Sequence, residues 1–183
     1  MERKKCTLYS GGHKGTENAF GEMAEKWGIN EVNYTFTGHQ MQREKNSVIL
    51  SETELQRGDI SMELVSNMMG RNYYEADKIR KVLQTIFHMV NRGHQVFAVG
   101  TIQTDNTVKG GTGWAVELAK LFNRPLSVYD TERNAWFSWR QGSWLEDSPR
   151  IEHSTFVGSG TRNLTREGGK AIEQLFADSF GPA

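Results

Sequence analysis

Cys6-Thr7-Leu8-Tyr9-Ser10-Gly11-Gly12-His13-Lys14-Gly15-Thr16 is the stretch that decides the fold. The β-prone run Cys6 to Tyr9 ends in a glycine cluster. Beyond it Ala19, Phe20, Met23, Ala24 and Trp27 recur at three- and four-residue steps, which reads as strand, tight turn and helix. Gly28 closes that helix as a C′ residue, and Val32 to Phe36 alternates as a second strand. The same order returns around Lys109-Gly110-Gly111-Thr112-Gly113 and Gly158-Ser159-Gly160-Thr161-Arg162. Each cluster follows an apolar or β-prone run and precedes a helical pattern.

Between these clusters, Tyr73, Ala76, Ile79, Val82, Leu83, Ile86, Phe87 and Val90 predict a long amphipathic helix over Asn72 to Asn91. Gln95 to Gly100 reads as a buried strand, Trp114 to Phe122 as a helix and Leu126 to Tyr129 as another strand. A hairpin turning at Arg140-Gln141-Gly142 is expected at about 134–146, with Trp136, Trp139 and Trp144 on it. Thr155 to Val157 is the last expected core strand, and a helix capped near Thr165 follows. Ser47 to Leu50 has strand character, while Gln40 to Asn46 and Ser51 to Asp59 read as exposed loop or short helix. The alternation predicts an α/β domain over 1–183, with a mainly parallel sheet and helices on both faces.

Glycine-rich turns that open helices gather free backbone N–H groups at the positive end of the helix dipole, an arrangement that favours phosphate. In an open parallel sheet such turns meet beyond the carboxyl ends of the strands. The expected ligand contacts are therefore Ser10, Gly11, Gly12, His13, Lys14, Gly15 and Thr16; Gly110, Gly111, Thr112 and Gly113; and Gly158, Ser159, Gly160, Thr161 and Arg162. Lys14, Lys109 and Arg162 supply charge that suits a phosphorylated small molecule. Neither a Gly-x-Gly-x-x-Gly turn nor a Gly-Lys-Ser/Thr ending is present, which argues against NAD and P-loop chemistry.

Composition narrows the field further. With 22 Lys plus Arg against 22 Asp plus Glu, the formal charge is zero, which argues against a long nucleic-acid partner. No apolar run nears the roughly 18 residues of a membrane helix, and the N-terminus lacks a signal segment, so a cytoplasmic protein is expected. A single cysteine excludes an internal disulfide. The five histidines show no zinc-like spacing, so no metal site is expected.

Ser10-Gly11-Gly12-His13-Lys14-Gly15-Thr16-Glu17-Asn18-Ala19 resembles the opening Ser-Gly-Gly-Gln-Thr-Gly-Val-Asp-Arg-Ala motif of the putative molybdenum cofactor carrier proteins. Lys109 to Thr112 with Arg124-Pro125, and Val157 to Arg162, resemble that family's later motifs in the same order. The resemblance implies a Rossmann-like three-layer sandwich, a homo-oligomer, and a nucleotide or molybdopterin-like ligand. Gly110, Gly111, Gly113 and Glu117 also fit the Pro-Gly-Gly-x-Gly-Thr-x-x-Glu pattern of the Lonely Guy phosphoribohydrolases in the wider superfamily. That likeness implies cleavage of the bond between a nucleobase and ribose 5-phosphate, with Glu117 paired to Arg80 or Arg71. A third branch, resembling DprA, implies single-stranded DNA binding, which the neutral charge opposes.

Overall fold

The computed structural model describes residues 2–73 and 76–183. Gln95–Gly100 forms β4, buried at every position, as expected of a strand covered on both faces. Its side chains divide by parity: Val96 and Ala98 join one apolar cluster, Phe97 and Val99 the other. Helix α1 (Thr16–Lys26) and α6 (Arg166–Phe180) supply Phe20, Ala24, Ile172 and Phe176 to the second cluster. On the opposite face lie α2 (Glu52–Gln56), α3 (Asp59–Met69), α4 (Asp77–Arg92) and α5 (Thr112–Leu121).

The remaining strands are β1 (Thr7–Ser10), β2 (Asn30–Phe36), β3 (Ser47–Leu50), β5 (Leu126–Asp130), β6 (Ala135–Arg140), β7 (Ser143–Glu146) and β8 (Thr155–Gly160). All lie in one sheet in the order β3-β2-β1-β8-β4-β5-β6-β7. Six are parallel and the β6–β7 pair is antiparallel. β8, the last in chain order, lies between β1 and β4, so three glycine-bearing segments leave neighbouring strands at the same edge.

One sequence expectation needs correction. The helix predicted from Asn72 starts at Asp77, because Ala76 is extended at φ −149° and ψ 140°. Tyr73 lies outside it, buried, with its hydroxyl donating to Asp59 Oδ1 at 2.7 Å. Ser51 to Asp59, expected as exposed loop or short helix, holds the short helix α2, and Asp59 opens α3, which ends at Gly70 in the left-handed region. Ser51 heads α2 in a reciprocal capping box with Glu54.

The hairpin extends the main sheet, and its tryptophans are taken up internally. Trp136 packs edge-on to Phe97 and Tyr129, while Trp139 and Trp144 flank Lys120. On the α3 side, Met62 is in the core and Met68 is half-exposed. No helix among the described residues is long and apolar enough to cross a membrane.

Candidate functional site

The first and third glycine segments are bound to each other before any ligand is considered. Ser10 Oγ donates to Gly158 O at 2.9 Å, and the N–H and hydroxyl of Thr16 both donate to Thr161 O, at 3.1 and 2.9 Å. At Gly15, φ is +87° and a Cβ would strike the Arg162 and Thr161 carbonyls, so only glycine fits this joint. Gly12 O accepts the N–H groups of Gln42 and Arg43, both at 3.0 Å, which fastens the loop after β2 over the first segment. Lys14 is exposed outside the cavity rim. Ser10, Gly12, Gly15 and Thr16 thus serve the joint between strands.

Beyond the carboxyl ends of β1, β8 and β4 lies a cavity of about 670 Å³. Ile79, Val82, Leu83, Ile86 and Met89 of α4 form an apolar wall. Opposite stand Thr101 and Thr131, whose hydroxyls bond at 2.9 Å, and the turn from Ser159 to Asn163.

One end of the cavity is positive. Lys109, Gly110, Gly111 and Thr112 border it at the start of α5. The first backbone bonds of that turn are donated by Gly113 and Trp114, to Gly110 O and Gly111 O, both at 3.2 Å. The preceding N–H groups of Gly110, Gly111 and Thr112 have no partner among the described residues. Neither Lys109 nor Arg162, both on the rim, forms an ion pair there. Free donors at a helix N-terminus and two uncommitted cations suit an anion.

The other end is an acceptor. Glu17, with its side chain 7% exposed, accepts His13 N–H at 3.0 Å and His13 Nδ1 at 2.8 Å on Oε2, and the Ser159 hydroxyl at 3.2 Å on Oε1. Burial works against its charge, but the His13 bonds and charge and the Ser159 hydroxyl outweigh it and hold the carboxyl below its ordinary range. An ionised carboxylate only accepts, so His13 Nδ1 carries a proton. His13 Nε2 faces His39 Nε2 at 2.8 Å, and His39 Nδ1 meets Thr35 Oγ1 at 2.9 Å. Burial first, and His13 second, push the His39 pKa down to about 4. His39 is therefore neutral near pH 7, and one proton is shared between the two Nε2 atoms.

Glu117 does not border this cavity. It is buried on α5 and paired through Oε1 with Lys120 Nζ at 2.7 Å. Lys120 also donates to Asn106 O at 2.9 Å and lies 3.9 Å from the Trp139 ring centre. The arginines expected beside Glu117 are engaged elsewhere. Arg71 donates to Gly110 O at 2.9 Å and Val108 O at 3.0 Å, clamping the second glycine segment from outside. Arg80 pairs with Asp77 at 2.9 Å. The helix turns Glu117 away from the cavity that its own glycines border.

Glu17, His39, Thr101, Thr131 and the α4 wall were not among the expected contacts. Glu17 carried a local signal, four residues after His13 inside the first motif, whereas His39 reaches the site only through the loop after β2. Among the described residues no group of three or more His, Cys, Asp or Glu side chains is placed to hold a metal ion.

No family model, curated protein or solved structure matches this chain.

Proposed function

We propose that this chain is a Rossmann-like three-layer sandwich that binds a phosphorylated small molecule, of nucleotide or pterin type, in the cavity beyond β1, β8 and β4. The observation that carries the reading is the set of unpartnered N–H groups at Gly110, Gly111 and Thr112, next to Lys109, with Arg162 bordering the same cavity. A phosphate there would meet fixed dipoles and the Lys109 ammonium. The volume of about 670 Å³ falls within the range of small-molecule sites, and the α4 wall offers aliphatic cover to a ring. Binding is favoured over phosphoribohydrolysis through Glu117, whose carboxylate is neutralised by Lys120 outside the cavity.

Gly111 supplies the test. Its φ of −62° and ψ of −30° suit any residue, and a Cβ there meets nothing within 4 Å. Gly111→Asp would place a carboxylate where the phosphate is expected, while aspartate at an N-cap position favours the helix. Calorimetric titration with inorganic phosphate and nucleoside monophosphates should show binding to the unmodified chain. In Gly111→Asp that binding should weaken at least about tenfold with the unfolding midpoint unchanged or raised. Absence of phosphate binding by the unmodified chain would overturn the reading.

A further inference from the structure

The phosphate reading uses only one end of the cavity, and the other end carries opposite charge. Glu17 sits there ionised, with no lysine or arginine paired to it; its neighbour is His13, whose Nε2 meets His39 Nε2. Each carboxylate oxygen has about two acceptor positions. Oε2 fills both with the N–H and Nδ1 of His13, but Oε1 receives only the Ser159 hydroxyl, at 3.2 Å. Oε1 therefore retains an acceptor position, and Glu17 and Ser159 both border the cavity.

The sheet places the two groups on different elements. Glu17 opens the helix after β1, Ser159 lies on β8 opposite Ala98 of β4, and β4 leads to the loop before α5. The carboxylate is held on Ser159 of β8, whereas the free N–H groups open α5, which follows the neighbouring strand β4. A ligand with a phosphate on α5 would bring its far end to the carboxylate, and a second phosphate there would meet like charge at low dielectric.

Resting on the binding reading above, we propose that Glu17 is a second recognition point. It takes a hydroxyl or protonated nitrogen of a phosphate monoester and turns away ligands that carry a second phosphate at that end. The ligand class is a monophosphate with a donor-bearing body, such as a sugar phosphate. A charge-assisted hydrogen bond that replaces water at a buried acceptor is expected to give about tenfold or more in affinity.

The experiment compares inorganic phosphate, ribose 5-phosphate and ribulose 1,5-bisphosphate by calorimetry on the full chain and on Glu17→Gln. The unmodified chain should take ribose 5-phosphate about tenfold more tightly than either of the others. That comparison needs no variant, so it stands even if Glu17→Gln fails to fold. In folded Glu17→Gln, inorganic phosphate should bind within about twofold of the unmodified chain, and the preference for ribose 5-phosphate over the bisphosphate should fall toward unity. Equal affinity of the unmodified chain for the two sugar phosphates would overturn the proposal, as would a Glu17→Gln loss equal for phosphate and ribose 5-phosphate. Failure of all three to bind is a different result, which removes the binding reading itself.

Discussion

Acidification should weaken this fold through His39, by an amount the structure allows to be worked out. The ring has an ordinary pKa of 6.5 and is held at about 4 in the folded chain, where burial and His13 disfavour its charge. Between those two values the unfolded chain binds more protons than the folded one, so stability rises with pH across that window and is level above it. The gap converts to a ceiling of about 3.4 kcal/mol at 1.36 kcal/mol per unit. His39 is only half-buried, and solvent screening reduces the expected effect to about 1.5 kcal/mol. His39→Asn keeps a hydrogen-bonding side chain beside Thr35 and His13 but cannot titrate. Urea unfolding followed by tryptophan fluorescence at pH 7.5 and 4.5 should show the unmodified chain losing about 1.5 kcal/mol more than His39→Asn. His88 and His94 are also lowered by burial, but both remain in the variant and cancel in the comparison. Glu17 acts mainly below this window: its lowered carboxyl gives stability above the unfolded value that is lost as pH falls through the folded one. Equal losses in the two proteins would refute the assignment of a neutral His39.

Arg71→Ala should release the carbonyls of Val108 and Gly110 and lower phosphate affinity several-fold without touching the ligand, with faster amide exchange over 108–112 as its signature. Lys120→Met should cost about 2–4 kcal/mol by leaving Glu117 buried and unpaired. Adding Glu117→Gln should recover part of that cost in urea unfolding, and phosphate binding should be unchanged throughout. At Gly158 a Cβ would overlap the Phe20 ring, so Gly158→Ala should cost about 1–3 kcal/mol, and Phe20→Leu in the same chain should cost less than the sum of the two single changes.

The parts legible in the sequence are those whose signal is local. β4 shows an unbroken apolar run, and α4 shows a clean stripe because its buried Leu83, Ile86, Met89 and Val90 keep the helical period. α3 escaped reading because Ile60, 86% exposed, and the half-exposed Leu64 and Met68 put apolar residues on its outer face, blurring the stripe that Met62 and Val65 would otherwise mark. The start of α4 reads too early in the sequence because Tyr73 and Ala76 fit the helical phase although Ala76 is extended. At the site, the glycine clusters announced backbone donors, and those of the second cluster stand free on the cavity rim. Spacing alone could not say which way Glu117 would face, a matter settled by Lys120 one turn later. Nor could it pair His13 with His39, which are 26 residues apart and meet only through the loop fastened by Gly12 O.

The position of β8 bears on how the chain reaches this state. Ser10 must find Gly158 across a sequence separation of 148, and two sets of strands wait on either side for the same insertion. During synthesis the edges of β1 and β4 would stand unpaired until residues 155–160 emerge, a long interval of exposure for two strand edges. Such long-range pairing slows folding, and the wedge that closes the sheet also brings Ser159 and Arg162. Refolding rate and the recovery of ligand binding should therefore follow one clock, set by the arrival of a single strand.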